Sequence, residues 1–208
     1  MSSQTLARIN GPLKLEREHG VLNPNPFDRW AIANGGVDPT TAITRVILEG
    51  NRNSTLEILG IRANAQCQQP LDGTIFYSPT AGAESVARMG FNLDSPNPIA
   101  QKASGGFVSS QAYFETTTIS LAPEERQVVD LVAVTHQRFC RYTFTLSRLD
   151  GKKMSSETID DNGQPFEVSA LLDNGSAPPF SRYRSVYVGG VVTPNGLFMP
   201  VSPHYKLP

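Results

Sequence analysis

The sequence is poor in the residues that most often carry catalytic or metal chemistry. Its 208 residues include three histidines, two cysteines and one tryptophan, and charged residues make up only 18%. Eighteen basic and nineteen acidic side chains leave a net charge of −1, so no whole-protein field would hold nucleic acid. No apolar run approaches the roughly 20 residues that a membrane helix needs. These absences predict a soluble globular chain with no nucleic-acid partner, which would meet a membrane only through an anchor upstream of this sequence.

Local motifs of the common enzyme classes are also missing. The sequence has no GxSxG elbow of a serine hydrolase, and its glycine pairs do not follow a strand–GxGxxG–helix pattern. The histidines His19, His136 and His204 are scattered, which is unlike zinc-site spacing. On one continuous strand His136 and Cys140 would lie about 13 Å apart, too far for a catalytic dyad. We therefore predict no catalytic, cofactor-binding or metal-binding residues; the alternative is a hydrolase-like enzyme whose site is assembled without a local motif.

The segment TIDDNGQPFEVS resembles part of a calcium-binding loop. Asp160, Asn162 and Gly163 would occupy its third, fifth and sixth positions. Thr158 and Ser169 would then stand at the first and twelfth positions, where such a loop needs an aspartate and a bidentate glutamate. The Asn-Gly pair is instead typical of a tight hairpin turn, and we predict such a turn between the two flanking strands.

Short apolar alternations separated by turn signals recur from about residue 41 to residue 169. This pattern is typical of a β-sandwich or barrel. The predicted strands are about 42–49, 55–66, 73–78, 86–94, 112–121, 127–137, 138–149, 153–160 and 164–170. We therefore predict an all-β chain that forms an antiparallel β-sandwich, immunoglobulin-like or jelly-roll-like, with one short N-terminal helix.

Three regions of different character predict the domain organisation. Residues 1–40 form an N-terminal lead, residues 41–170 the sandwich domain, and residues 171–208 an extended arm that packs on the sandwich. Within the lead, the segment NPFDRWAIANGG carries the one predicted helix. Its Pro26 suits a helix start, and the apolar residues that follow, Phe27, Trp30 and Ile32, are expected on its core side.

The last residues, GGVVTPNGLFMPVSPHYKLP, predict the form of the C-terminal arm. Pro194, Asn195 and Gly196 are a strong turn signal with apolar residues on both sides. Pro200 and Pro203 prevent a helix and limit sheet pairing to an edge, which predicts an extended arm or a loose hairpin. The arm is expected to dock on its own domain, giving a monomer, or on a neighbouring copy, giving an arm-exchanged dimer.

The two cysteines stand in similar settings. In IRANAQC, Cys67 shares one face of an extended chain with Ile61, Ala63 and Ala65, and Cys140 likewise lies on the apolar face of FCRYTFTLSRL. Inward-facing cysteines on two strands predict a disulfide across the sandwich core, which would place the chain in an oxidising compartment. The alternative is a pair of free buried thiols, which would leave a cytosolic protein open.

Several segments of the sequence resemble the extracellular part of uncharacterised single-pass membrane proteins of Gram-positive bacteria. They are LARINGP, WAIANGGVD, TRVILEGNRNSTLEILGIRANAQC, PLDGTIFYSPTAGA, FNLDSPNPIAQ and DDNGQPF. The resemblance implies an all-β fold and an exported, extracellular or cell-envelope location. It implies no activity, and no functional residue is carried over from it.

Surface recognition is the function class that remains. The segment SRYRSVYVGG puts Tyr183 and Tyr187 on one face of an extended chain and Arg182 and Arg184 on the other, so one face is a candidate binding surface. The alternative is an ordinary edge strand with extended arginines. We predict a non-enzymatic domain with a binding or structural role, whose partner is an unknown envelope protein or glycan.

Overall fold

The computed structural model describes most of the chain. The described residues are 4, 6–11, 26–78, 88–104, 107–172, 180–190, 192–193 and 195–205. These residues are mostly β, with 56% of them in strands and 10% in helices, and they form several sheets and two helices. It divides into two compact units, a smaller one of Met1–Val37, Leu71–Gly82 and Leu171–Pro208 and a larger one of Asp38–Pro70 and Ala83–Ala170.

Fourteen strands are found among the described residues. In chain order they are β1 Asp38–Pro39, β2 Thr41–Glu49, β3 Leu56–Gln68, β4 Thr74–Tyr77, β5 Arg88–Asn92, β6 Gln101–Ser104, β7 Phe107–Ala112, β8 Ile119–Leu121, β9 Arg126–Val134, β10 Phe139–Asp150, β11 Lys153–Ile159, β12 Phe166–Ser169, β13 Ser185–Gly190 and β14 Gly196–Val201. The helices are α1, residues 6–11, and α2, Pro26–Ala33. A single 3₁₀ turn covers Tyr113–Glu115.

The larger unit contains two sheets. The first has the order β1-β12-β10-β3-β8, with β11 also paired to β10, and the second has the order β2-β9-β5-β6-β7. Most neighbours are antiparallel, but β1 pairs with β12 and β5 pairs with β9 in parallel. The prediction of an antiparallel fold therefore holds for most strand pairs of this unit and is wrong for these two. The parallel pair of β5 and β9 requires a long connection that a hairpin-based interpretation does not anticipate.

Inner faces of the two sheets share one hydrophobic core. Apolar side chains of β3 and β10 join those of β5 and β9 in a single buried cluster. At its centre Phe144 of β10 and Phe91 of β5 are both fully buried, with ring centroids 4.7 Å apart. The alternation read from the sequence of β3 is confirmed, because Ile61 and Ala63 are buried while Arg62 between them is exposed.

Strand prediction succeeded where apolar alternation was strong and failed where it was weak. All of the predicted strands except 112–121 correspond to observed ones within a few residues. Segment 112–121 is instead the 3₁₀ turn followed by the short strand β8, and strands β6 and β7 before it were missed. Their sequences, QKAS and FVSSQA, carry little alternation because they lie at one end of the second sheet and bury few side chains.

The expected hairpin between 153–160 and 164–170 is not formed. Strands β11 and β12 pair with successive parts of β10, on the edge opposite β3, so they follow one another along the same neighbour. The tight turn between them is real: Asn162 and Gly163 have positive φ angles, and Asp161 bridges to Gln164. The Asn-Gly signal therefore marks a short turn between two strands that follow one another along β10. In this turn the Gly163 N–H donates to the Asp160 carboxylate at 2.9 Å.

Cys67 and Cys140 are joined in a disulfide, as predicted, but it does not cross between the sheets. The two residues are directly opposite each other on the neighbouring antiparallel strands β3 and β10, with Cα atoms 4.1 Å apart. That separation is typical of a pair that exchanges no backbone hydrogen bonds, where side chains come closest. Residue patterning shows that both cysteines face inward; it does not show that the two strands are neighbours in one sheet.

Strands β14, β13 and β4 form the sheet of the smaller unit, in that order. Strand β13 pairs in parallel with β4 and antiparallel with β14, and Asn195 and Gly196 of the connecting turn have positive φ angles. The turn signal near the C-terminus therefore closes a hairpin whose second strand, with Pro200, lies at the sheet edge as expected. That residues 171–208 pack on the sandwich stays a prediction, as does the choice between a monomer and an arm-exchanged dimer.

Helix α2 confirms the helix predicted near 26–34. Phe27 and Trp30 join Phe76, Tyr187 and Phe198 in an aromatic cluster, with the Phe27 and Phe198 centroids 4.7 Å apart. The expected core position of Ile32 is wrong, because that side chain is 71% exposed. Helix α1 was missed altogether: only one of its residues, Ile9, is fully buried, so its sequence shows little helical periodicity.

Removing the Tyr142 hydroxyl is expected to leave stability unchanged or to raise it by up to about 1 kcal/mol. That hydroxyl is buried and has no hydrogen-bond partner among the described residues. Its burial, together with the charge of Asp38, raises the pKa of Tyr142. A buried group without a partner has lost its water without compensation, so Tyr142→Phe removes a cost. Urea unfolding of the two proteins measures the difference.

Tyr183→Phe is the matched control for this substitution. The Tyr183 hydroxyl accepts a hydrogen bond from the backbone N–H of Leu172 at 3.0 Å, and the residue is only 8% exposed. Its loss is expected to cost about 1 kcal/mol, since the Leu172 N–H would be left buried and unpaired. Equal losses for both variants would contradict the assignment of an unsatisfied hydroxyl at residue 142.

Candidate functional site

The binding surface predicted near residue 185 is not formed by its aromatic residues. Tyr183 and Tyr187 are 8% and 7% exposed, and each belongs to a buried cluster of the smaller unit. Arg182 and Arg184 are exposed, and Arg184 forms an ion pair with Asp72 at 3.3 Å. The segment was misread because β13 is the central strand of its sheet and buries both faces. Two exposed arginines without their aromatic partners do not make a recognition strip.

A groove on the larger unit is the stronger candidate. It has a volume of about 810 Å³ and is lined by residues of β3, by the segment from Leu93 to Pro98, by Arg138 and the first residues of β10, and by Pro165. This volume falls in the range of about 300–1,000 Å³ that is usual for ligand sites. We call this feature the β3–β10 groove.

The register of β3 and β10 arranges the polar residues of the groove. Arg62, Asn64 and Gln66 are exposed and alternate along β3 with Ala63, which is buried, and Ala65, which is half-buried. Across the strand pair, Gln66 is opposite Arg141 and Asn64 is opposite Thr143, so these side chains lie on one face of the sheet. The floor therefore carries amides, a hydroxyl and guanidinium groups in two parallel rows.

The rim segment that contains Leu93 and Pro98 is held to the sheet by backbone hydrogen bonds. The N–H of Ala63 donates to the Pro98 carbonyl at 2.8 Å, and the N–H of Ala100 donates to the Ile61 carbonyl at 2.9 Å. Asp94 accepts from the Thr135 hydroxyl at 2.9 Å and from the His136 backbone N–H at 2.7 Å. These bonds attach the rim to β3 at Ile61 and Ala63 and position it before any ligand arrives.

The charge of the groove is positive. Three arginines line it, Arg62, Arg138 and Arg141, and no lining residue is acidic. Arg141 forms an ion pair with Glu167 at 2.9 Å, beside the groove. Arg62 and Arg138 have no ion-pair partner among the described residues and are exposed. Two unneutralised guanidinium groups therefore face solvent at a site otherwise made of neutral hydrogen-bonding groups.

A second charged cluster, on the second sheet, is structural. Asp130 is 1% exposed, and its carboxylate accepts hydrogen bonds from Arg45 Nε at 2.8 Å and Arg45 Nη2 at 3.2 Å. Arg88 Nε lies 3.7 Å from the same carboxylate. The hydrogen bond from Arg45, with the charges of both arginines, holds the pKa of Asp130 below its usual value despite burial. The two arginines compensate the negative charge of this buried carboxylate within the sheet.

Asp130→Asn is expected to lower the free energy of unfolding by roughly 2 kcal/mol at neutral pH, less than for a fully buried pair because Arg45 is half-exposed. Since the folded-state pKa of Asp130 is lowered, its contribution is present above the unfolded pKa of about 3.9 and is lost as pH falls below it. In urea unfolding, the difference in free energy of unfolding between wild type and Asp130→Asn should be smaller at pH 3 than at pH 7.

Glu49→Gln is the control, because the ion pair between Glu49 and Arg126 is exposed at both ends. Its effect is expected to stay within about 0.5 kcal/mol at neutral pH. An Asp130→Asn gap that does not change between pH 7 and pH 3 would contradict the lowered pKa.

Residues considered for catalysis or metal binding are not brought together. Cys67 and Cys140 are in the disulfide and offer no thiol. His136 and His204 are exposed, and His19 lies outside the described residues. Within the described part of the chain, no three His, Cys, Asp or Glu side chains cluster in a way that would hold a metal ion.

Comparisons with known proteins do not assign a function, so a functional assignment rests on the residues of the groove. No protein-family model matches the chain, and the comparisons with curated proteins and with solved structures also find no match. In the described parts of the chain, no helix combines the length and the apolar character that a membrane span requires.

The groove was missed at the level of sequence, although part of its signal was visible. The alternation in IRANAQC places Arg62, Asn64 and Gln66 on the face of the strand opposite Cys67, and no function was predicted for that face. Arg138 and Pro98 are distant from these residues in the sequence. Only the pairing of β3 with β10 and the bonding of the rim to β3 bring them to one site.

Proposed function

We propose that the chain is a non-enzymatic, exported binding domain whose β3–β10 groove holds an anionic component of the cell envelope. The observation that carries the proposal is the pair of exposed arginines, Arg62 and Arg138, without an ion-pair partner in a groove that has no acidic lining residue. Guanidinium groups are well suited to carboxylate and phosphate because they donate two parallel hydrogen bonds.

Binding is favoured over catalysis by the residue types in the groove. Its lining combines three arginines, three amide side chains and hydroxyl groups with apolar residues and the disulfide-bonded Cys67, and contains no histidine, aspartate or glutamate. General acid–base or nucleophilic catalysis needs such a group within hydrogen-bond reach of the reacting atom. Charged and amide donors on a rigid sheet serve orientation and affinity.

Support for an exported location comes from the disulfide between Cys67 and Cys140. Disulfides persist in oxidising compartments and are rare in the cytosol. The inference agrees with the resemblance to extracellular domains of Gram-positive membrane proteins. The envelope would then supply the anionic polymers that the groove fits.

We interpret the larger unit as a β-sandwich, because its two sheets share one core. The assignment to an immunoglobulin-like or jelly-roll-like type stays a prediction. The parallel pair of β5 and β9 counts against a strictly antiparallel version of either. The function proposed here depends on the first sheet and on the segment from Leu93 to Pro98 that is bonded to it.

Removing the two free arginines of the groove should weaken binding of an anionic polymer. We expect wild type to bind soluble polygalacturonate, measured by isothermal titration calorimetry, and to show no heat with neutral dextran. The Arg62→Ala/Arg138→Ala variant is expected to lose at least tenfold in affinity, since each lost charge-assisted hydrogen bond is worth about 1.5–3 kcal/mol.

An Arg126→Ala/Arg182→Ala variant is the matched control, because it removes the same charge from exposed positions outside the groove. It should bind like wild type, apart from a small general effect of net charge that disappears as salt is raised. Equal losses for the two variants, or no binding by wild type, would overturn the proposal.

A further inference from the structure

One edge of strand β3 is open beside the groove, on the C-terminal side of Ala63. The rim is bonded to this edge at Ile61 and Ala63, while β10 pairs with the opposite edge along the length of the strand. Ala65 and Cys67 come next, and neither has a backbone hydrogen-bond partner on the rim side among the described residues. Both are half-buried and line the β3–β10 groove.

The backbone groups of Ala65 and Cys67 point toward this open edge. In an antiparallel pair, residues that bond the neighbouring strand alternate with residues whose N–H and C=O point away from it. Ile61 and Ala63 belong to the second set, because they bond the rim. Ala65 and Cys67 follow at the same two-residue interval and therefore belong to it as well. The 4.1 Å between the Cα atoms of Cys67 and Cys140 agrees, since it is typical of a pair that exchanges no hydrogen bonds.

The rim leaves this edge open because of its prolines. Pro96 and Pro98 lack an N–H, so the rim cannot continue an unbroken row of donors along β3. Pro98 contributes only its carbonyl, which accepts from the Ala63 N–H at 2.8 Å. Two N–H and two C=O groups of β3 therefore remain open to a ligand in the groove.

An extended peptide fits this edge. The bonding groups of a strand recur every two residues, about 7 Å apart, so a second strand presents carbonyls and N–H groups at the interval that separates Ala65 from Cys67. Strand addition of this kind is a common way for a sheet to bind a peptide. Half of the residues that line the groove are apolar, among them Pro96, Pro98 and Pro165, and these provide contacts for apolar side chains of the peptide.

We propose that the β3–β10 groove binds an extended acidic peptide segment of a partner protein, which adds a strand to β3 at Ala65 and Cys67. This inference rests on the proposed function and specifies its ligand. Charge complementarity selects acidic side chains, because Arg62 and Arg138 line the groove without an ion-pair partner among the described residues and no lining residue is acidic. The acidic side chains bind the guanidinium groups, while the peptide backbone bonds β3.

Calorimetry on the full chain tests strand addition with a heptapeptide of alternating glutamate and valine, blocked at both ends. Two derivatives are N-methylated, one at every valine and the other at every glutamate, so that each lacks one alternate set of N–H donors. Since alternate N–H groups of a strand point to opposite sides, one derivative is expected to lose roughly tenfold or more in affinity and the other to bind nearly like the parent. Equal affinities for the two derivatives would overturn strand addition.

Ala65→Pro is the corresponding change in the protein. It removes an N–H that bonds no described residue, at a strand edge where proline is tolerated. The variant is expected to bind the parent heptapeptide roughly tenfold more weakly and to keep the wild-type unfolding temperature. Ala65→Ser keeps the N–H and is the matched control, which should bind like wild type. If Ala65→Pro fails to fold, the two N-methylated derivatives still decide on wild type whether a strand is added.

Two further probes separate this inference from the function on which it rests. A heptapeptide of alternating glutamine and valine and a hexamer of galacturonate are each expected to bind roughly tenfold more weakly than the parent. Galacturonate that binds as tightly as the parent overturns the peptide class, while a loss caused by Arg62→Ala/Arg138→Ala would still support an anion-binding groove. Equal binding of the uncharged heptapeptide, or no binding of either anionic probe, overturns both proposals.

Discussion

Replacing both Cys67 and Cys140 with serine is expected to lower the free energy of unfolding by about 4 kcal/mol, as the chain-entropy model gives for a loop of this length. The bridged residues are 73 positions apart. The disulfide prevents the unfolded chain from exploring conformations in which these residues are separated. A typical domain is stable by about 5–15 kcal/mol, so the loss would be a large part of the total.

The variant with both cysteines replaced by serine is expected to keep the wild-type fold. Strands β3 and β10 pair along twelve residue positions, and Cys67 and Cys140 are one of those pairs. Their backbone pairing does not depend on the sulfur atoms. The expected effect is therefore a lower unfolding midpoint with unchanged far-ultraviolet circular dichroism.

The control is wild type unfolded in urea with and without a strong reductant. Reductant should lower the stability of wild type by the same amount as the double substitution, and should leave the serine variant unchanged. Alkylation of unreduced, denatured wild type should label neither cysteine. Two labelled thiols in protein purified without reductant would contradict the bridge and remove the support for an oxidising compartment.

Phe144→Ala is expected to destabilise the larger unit by about 3–5 kcal/mol, the usual cost of removing a buried phenylalanine. The Phe144 side chain is fully buried and contacts three rings, those of Phe91 at 4.7 Å, Tyr142 at 5.4 Å and Phe166 at 6.0 Å between centroids. Phe91 belongs to the second sheet, so the substitution would open a cavity between the sheets. Thermal or urea unfolding measures the loss.

Phe107→Ala is the matched control, because the same atoms are removed from a side chain that is 82% exposed. Its effect should remain within about 0.5 kcal/mol, as is usual for surface substitutions. A loss at Phe107 comparable to that at Phe144 would mean that residue 107 is covered in solution. A small loss at Phe144 would mean that the core relaxes to fill the cavity.

Only part of the candidate site can be predicted from the alternation of residues in the sequence. The exposed face of β3, with Arg62 and Asn64, could be read from the strict alternation in its sequence, because neighbouring residues of a strand point to opposite faces. The positions of Arg138 and Pro98 beside that face could not. They depend on which strands are neighbours, and strand pairing is set by contacts between residues far apart in the chain.

The tyrosines of the segment SRYRSVYVGG show what the pattern cannot predict. A strand in which polar and apolar residues alternate has the same sequence pattern whether it lies at the edge or in the centre of a sheet. Tyr183 and Tyr187 were predicted as a candidate binding surface, but Tyr187 is buried on the central strand β13 and Tyr183, which precedes that strand, is buried in the cluster that contains Leu172 and Phe180. Burial on both faces depends on what packs there, which the local pattern does not record.

By itself, the sequence determined a mostly β chain, the bounds of most strands, the helix at Pro26–Ala33, the inward faces of Cys67 and Cys140, and the turn at Asn195–Gly196. These features depend on alternation, turn chemistry and capping, which act over a few residues. Only the tertiary structure decided the parallel pairing of β5 with β9, the position of the disulfide within one sheet, and the β3–β10 groove. Each depends on the order of strands in the sheets, which long-range packing selects among arrangements that satisfy the same local pattern.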